Sequence, residues 1–221
     1  MPIDEASTRL AEVREKIARA AQLAGRVPES VELIAISKMH DAAAIQPLIE
    51  AGQRVFGENR VQEAAAKWPE LRETTGVSLH LVGQLQSNKA EEAVALFDAI
   101  HSVDRPSLVQ ALARATDKVG KRPLCFLQVN VGDEPQKGGC AVADLSALLG
   151  EARAAELPVG GLMCVPPLEV EAAPYFALLA KLARDHGIAD LSMGMSGDYE
   201  TAVTIGATHV RVGTALFGER E

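Results

Sequence analysis

Hydrophobic and polar positions along the chain follow two alternating periods. Short runs of five to eight residues, rich in branched apolar side chains, separate longer stretches whose apolar positions recur every three or four residues. The short runs read as buried strands and the longer stretches as amphipathic helices. Strands are expected over residues 31–38, 54–59, 79–84, 99–103, 124–131, 159–165, 190–196 and 209–213. Helices are expected over 41–51, 61–73, 88–96, 107–119, 143–155, 171–186 and 198–205, with an extra helix, about 3–24, ahead of the first strand.

Strand and helix alternating in this way predict a parallel sheet with crossover helices. Eight such repeats in 221 residues fit an α/β fold of one domain, residues 1–221, a single (β/α)8 TIM barrel with an extra N-terminal helix. An open doubly wound sheet is the other arrangement. The Gly-x-Gly-x-x-Gly turn that a dinucleotide site needs after the first strand is missing from this sequence. No Pro-rich or Gly/Ser-rich linker divides the chain, and its longest irregular piece, 130–140, is expected to be a mobile loop at the barrel mouth, either functional or simply loose.

Composition narrows the partners. A net charge of -8 gives no basic field for a phosphate backbone, and aromatics at 4% leave few platforms for bases, so nucleic acid is not expected. Cys125, Cys140 and Cys164 are odd in number and never spaced Cys-x-x-Cys, as expected of reduced residues in a cytoplasmic protein. The charged N-terminal stretch lacks the apolar segment of a signal peptide, and no run is apolar enough to suggest a membrane span. His40, His80, His101, His186 and His209 form neither His-x-His nor His-Glu-x-x-His, so no metal site is expected. Trp68 reads as packing in an amphipathic helix.

Lys38 ends the first apolar run, where ligand sites of barrels lie. An amine desolvated there can lose its proton and condense with an aldehyde or ketone, whereas an ordinary lysine keeps its head in water. The seventh run ends in Met193-Gly194-Met195-Ser196-Gly197-Asp198 and the eighth in Arg211-Val212-Gly213-Thr214. Backbone N–H groups beside glycine, with Ser and Thr hydroxyls, make an anion cradle. Ser196 or Asp198 as a plain helix cap is the alternative. Met193 and Met195 alternate on a strand, where core filling is the usual role, although Met195 adjoins the cradle.

Closure of a barrel would set Lys38 beside Gly213-Thr214. An amine next to a phosphate cradle suggests pyridoxal 5′-phosphate (PLP); a class I aldolase acting on a phosphosugar would use the same pair, but no acid/base partner for it is assigned. Arg211, two residues before Gly213, would point into the barrel, either facing a cofactor ring nitrogen or pairing with Glu32 or Glu58.

The segments Ala35-Ile36-Ser37-Lys38, Phe56-Gly57-Glu58-Asn59, His80 to Lys89, Gly161-Leu162-Met163, Met193 to Asp198 and Val210 to Gly218 together resemble the YggS/PROSC family of pyridoxal phosphate homeostasis proteins. The match runs from about residue 30 onward. It departs after the lysine, where Met39-His40-Asp41 replaces a nearby proline, and after Glu58-Asn59, where Arg60 replaces an aromatic. The resemblance implies a barrel similar to the N-terminal domain of alanine racemase, with PLP held as a Schiff base on Lys38. It also implies phosphate contacts from Ser196, Gly213 and Thr214, and Asn59 near the cofactor. Cofactor contacts are thus expected from Lys38, Asn59, Met195, Ser196, Arg211, Gly213 and Thr214.

The family implies a role in vitamin B6 homeostasis, buffering the cofactor or delivering it to PLP-dependent apo-enzymes, without established catalytic turnover. A PLP-dependent amino-acid racemase is the alternative. Against it, such racemases take a second acid/base tyrosine from a separate β domain, and this sequence has only Tyr175 and Tyr199, neither at a strand end. A monomer is expected on the same ground. Lys137, in the 130–140 segment, is either a second amine that holds the aldehyde during transfer or a solvated loop lysine.

Overall fold

The eight apolar runs close into one parallel barrel. In the computed structural model, which describes residues 1–218, the strands are β1 (Glu32–Ile36), β2 (Val55–Glu58), β3 (Ser78–Leu81), β4 (Ala99–Val103), β5 (Leu124–Gln128), β6 (Val159–Met163), β7 (Asp190–Met195) and β8 (His209–Val212). They pair in chain order, and β8 returns to β1. The last three residues of the expected domain, 219–221, lie outside the described residues.

The helices are α1 (Ile3–Leu23), α2 (Ala42–Glu50), α3 (Val61–Thr75), α4 (Ala90–Leu96), α5 (Pro106–Val119), α6 (Leu145–Ala154), α7 (Ala173–His186), α8 (Tyr199–Ile205) and α9 (Thr214–Phe217). Only α9 has no counterpart in the sequence pattern, since four residues are too few to display a helical period. Asp41 begins α2 by accepting a hydrogen bond from the Ala44 N–H at 2.9 Å. Left-handed glycines at Gly76, Gly120 and Gly187 end α3, α5 and α7. The buried stripe of α1, Ala6, Leu10, Val13, Ile17, Ala20 and Ala21, packs across α8, α9 and α2, over the seam between β8 and β1. No helix among the described residues is long and apolar enough to cross a membrane.

Two layers of side chains fill the fold. Val, Leu and Ala on the outward faces of the strands meet the helices in one continuous apolar cluster, while Ala99, Phe126 and Met163 form a smaller cluster of their own, near Leu124 and Val165. Polar side chains are buried as well: His80, His101, Gln128, Ser192 and Arg211 are all at most 7% exposed.

β7 breaks the alternation on which the sequence reading of its methionines rested. Its register with β8 advances from Ser192↔His209 to Met195↔Arg211, three residues against two, so one extra residue is accommodated. Gly194 takes it up with φ +93°, and a Cβ placed on it would point at α8, 2.6 Å from the Ala202 Cβ and 2.9 Å from the Tyr199 Cα. Met193 is therefore buried in the outer apolar layer while Met195 lines the cavity at the barrel mouth. The expectation of core filling holds for the first and fails for the second.

Gly194→Ala should destabilise the fold by about 2–4 kcal/mol, from backbone strain and overpacking against α8 together. Urea unfolding of the variant measures it.

Candidate functional site

A cavity of ≈ 290 Å³ opens where β1, β7 and β8 end. Its walls are Ile36, Lys38, His40, Met195, Ser196, Gly197, Arg211, Gly213, Thr214 and Gly218. Six of the seven expected cofactor residues thus meet in one place. Asn59 lies instead in a separate hollow, with Arg60, Gln84 and Lys89. His40, Gly197 and Gly218 were not anticipated. His40 had a signal, since it follows Lys38 by two residues and stacks on Phe217 of the next turn, with ring centroids 4.3 Å apart.

The backbone that carries Lys38 is held from beneath. β1 ends at Ile36, the Ser37 N–H donates to the Gly57 carbonyl at 3.0 Å, and the chain then turns away from the sheet. Met39 sits in the left-handed region at φ 63°, a cost for a residue with a side chain. Lys67 of α3 offsets that cost: its ammonium donates to the carbonyls of Ser37 and His40, each at 2.8 Å, spanning the turn. Glu63 accepts the Met39 N–H.

Glu58, fully buried, pairs with Lys67 at 2.8 Å and accepts hydrogen bonds from the Ser37 hydroxyl at 2.6 Å and the Trp68 indole N–H at 2.9 Å. Trp68 is therefore more than packing; Oε1 of Glu58 takes all three partners, while Oε2 is buried without a hydrogen bond. With Glu32 exposed at the far end of β1, neither of the proposed carboxylate partners of Arg211 is paired with it.

The two glycine-hydroxyl turns meet across the seam. The Gly213 N–H donates to the Ser196 hydroxyl at 3.2 Å. Ser196 therefore does not cap α8, and Asp198 folds its carboxylate back onto the Met195 N–H at 2.6 Å. By position, the first N–H groups of α9 have no partner within the helix. Small residues, two hydroxyls and backbone donors beside an amine make a donor set that suits a phosphate ester with an aldehyde.

Arg211 forms the inner wall. It is 5% exposed and donates to the Ser192 hydroxyl at 2.7 Å and to the Cys164 carbonyl at 2.8 Å. No carboxylate lies within ion-pair distance among the described residues. Behind it, His101 contacts Ser192 Oγ through Nδ1 at 2.8 Å and His80 Nδ1 through Nε2 at 3.1 Å. Burial pushes the His80 pKa down to about 3, and burial with the neighbouring His80, His209 and Arg211 holds His101 well below the ordinary imidazole range.

The remaining candidates lie elsewhere. Segment 130–140, expected to be mobile, is tied down: Val129 bridges Cys140, Asn130 brackets Glu134 with both amide atoms, and Gln128 donates to the Gly138 carbonyl. The Lys137 ammonium contacts Glu134 at 2.6 Å and the Pro166 carbonyl at 2.7 Å, so it is not a solvated loop lysine, nor does it line the cavity. Neither tyrosine lines the cavity; Tyr199 is buried against Gly194. All three cysteines are free and buried, and burial pushes each thiol up to about 12, so none is a ready nucleophile.

Two measurements probe these groups. Lys67→Met should destabilise by about 3 kcal/mol, by leaving the Glu58 charge buried without its cation, and a Lys67→Met/Glu58→Gln double variant should recover part of that loss in urea unfolding. His80 alone should also lower stability by about 2 kcal/mol between pH 7.5 and pH 5, and His101 adds in the same direction. The sign follows from His80: below the ordinary imidazole value the unfolded chain binds a proton that the folded chain refuses until about pH 3, so acid favours unfolding. Urea midpoints at the two pH values give the slope.

Known proteins place the chain in a family. The family profile described as alanine racemase, N-terminal domain, matches residues 9–221, so the likeness begins within α1, earlier than the motifs suggested. The pyridoxal phosphate homeostasis protein of Pseudomonas aeruginosa is 43% identical over 221 residues, covering 96% of this chain and 94% of that protein. The structure of PipY from Synechococcus elongatus, with PLP bound, superposes with a TM-score of 0.83 at 43% identity, over 96% of this chain and 100% of that one. An alanine racemase from Clostridium difficile shares the fold, with a TM-score of 0.75 over 100% of this chain and 58% of its own, at 13% identity. In both sequence and barrel, this chain belongs to the alanine racemase N-terminal domain family and, within it, to the pyridoxal phosphate homeostasis proteins.

Proposed function

We propose that this protein holds PLP at Lys38 as a Schiff base and serves vitamin B6 homeostasis, keeping the cofactor in reserve and passing it to PLP-dependent apo-enzymes. One observation carries the reading: a single cavity joins an amine, a hydroxyl-and-glycine cradle and a buried guanidinium. Lys38 binds the aldehyde carbon. Ser196, Gly213 and Thr214 orient the phosphate, Met195 packs beside it, and Arg211 faces the ring. The cofactor supplies an electron sink; what these residues supply is retention and orientation.

The reading extends to a cytoplasmic monomer that binds no nucleic acid. The net charge of -8 and three reduced, buried cysteines support it. A second reading, an amino-acid racemase, is favoured only by His40, which besides Lys38 and Arg211 is the ionisable side chain in the cavity wall.

The purified protein should show the visible absorption of a PLP Schiff base, and borohydride reduction followed by peptide mass analysis should place the pyridoxyl group on Lys38. Lys38→Ala should abolish both signals. A label found chiefly on Lys67 or Lys137 would refute the assignment. Incubation with single amino acids in deuterated water separates the two readings: α-proton exchange at enzyme-like rates would establish the racemase.

A further inference from the structure

Of the two directions open to the donors and acceptors behind Arg211, one gives the buried Ser192 hydroxyl proton an acceptor. A guanidinium has no acceptor, so Ser192 must accept from Arg211 Nη1 at 2.7 Å. When the Ser192 hydroxyl proton points at His101 Nδ1, 2.8 Å away, that nitrogen is bare; the reverse, a His101 Nδ1–H donating to Ser192, would leave the buried hydroxyl proton without an acceptor among the described residues. A neutral imidazole with bare Nδ1 carries its proton on Nε2. That proton faces His80 Nδ1 at 3.1 Å, which must be bare in turn. In this direction each group sets the role of its successor.

Burial enforces the pattern. Ser192 and His101 are fully buried and His80 is 7% exposed, so a misdirected proton would leave a polar atom without a partner and without water. The charged and titratable groups that act on the chain are Arg211, His209 and Asp98, the last a carboxylate whose charge opposes the lowering of His80, and His209 lies close to both rings, with centroids 6.0 Å from His101 and 6.3 Å from His80. The stack of His101 on Phe126, centroids 4.1 Å apart and 10° from parallel, fixes the ring plane from the other side. Among the described residues no group of three or more His, Cys, Asp or Glu could hold a metal, so ligation does not explain the cluster.

We propose that Ser192, His101 and His80 form a one-way hydrogen-bonded chain that positions Arg211, presenting its guanidinium to the cofactor cavity as a fixed, donor-only wall. The proposal rests on PLP occupying that cavity. Ser192 and His101 are positioning residues, since neither lines the cavity itself. The chain makes the wall selective for a ligand that offers an acceptor there, either an unprotonated ring nitrogen or an anion.

The first test needs no cofactor. Nitrogen-15 NMR of the histidine-labelled, PLP-free protein at pH 7 should show His101 and His80 neutral, each with bare Nδ1 and protonated Nε2. A proton on Nδ1 of His101 overturns the chain. The second test adds PLP. Ser192→Ala should bind PLP about tenfold more weakly, the change expected when a buried charged donor loses its acceptor, and His101→Leu, which leaves the Ser192 hydroxyl proton without its acceptor, should weaken binding in the same direction; both should shift the visible band.

His101→Asn, which keeps an acceptor for the Ser192 hydroxyl, should restore the wild-type band. Wild-type affinity and spectrum in Ser192→Ala and His101→Leu would overturn the proposal, as would failure of His101→Asn to differ from His101→Leu. If the wild-type protein takes up no PLP, the functional reading falls together with the role given to the chain, while the tautomers still report whether the chain exists.

Discussion

Parallel pairing between β8 and β1 is the interaction on which the site depends. The register Ile34↔Arg211 and Ala35↔Val212 draws together segments separated by most of the sequence, and it fixes which residues share the cavity wall. Lys38, just beyond β1, then stands opposite the turn at Gly213 and Thr214, and Ser196 of the neighbouring turn closes the cradle through the Gly213 N–H. α1 covers this seam from outside, which gives the extra helix a structural purpose: closing a parallel sheet onto itself leaves an outer apolar stripe that must be buried.

Two buried cations near the cavity are treated in opposite ways. Lys67 is neutralised by Glu58 and spends its other donors on the turn carrying Lys38, so its charge contributes to shape. Arg211 has hydrogen bonds but no carboxylate among the described residues. A buried charge without a counter-ion costs stability, and it persists where a ligand will complete it. The polar core behind Arg211 has the same character. Histidines held neutral by burial exchange some acid stability for a fixed set of donors and acceptors.

The bulge at Gly194 shows how finely the wall is set. Without the extra residue, Met195 would continue the alternation of Met193 and face the helices, and the turn carrying Ser196 would leave the seam. One glycine at φ +93° redirects the whole end of β7 toward the cavity.

The order of elements, the closed barrel and the convergence of Lys38 with Ser196, Gly213 and Thr214 were all legible in the sequence, because they follow from local period and from the strand-end logic of a barrel. Family membership was legible too, from several motifs in one order. Other features depend on contacts between residues distant in sequence, which no local pattern encodes. The bulge that separates Met195 from Met193 depends on the space beneath α8. The pinning of segment 130–140 and of Lys137 depends on partners in β5 and in the loop after β6. The partner of Arg211 was open between a cofactor ring nitrogen and a carboxylate such as Glu32 or Glu58, and neither of these carboxylates pairs with it. His80, His101 and Ser192 look unremarkable as isolated letters; only the barrel's curvature places their side chains within hydrogen-bonding reach in its dry interior.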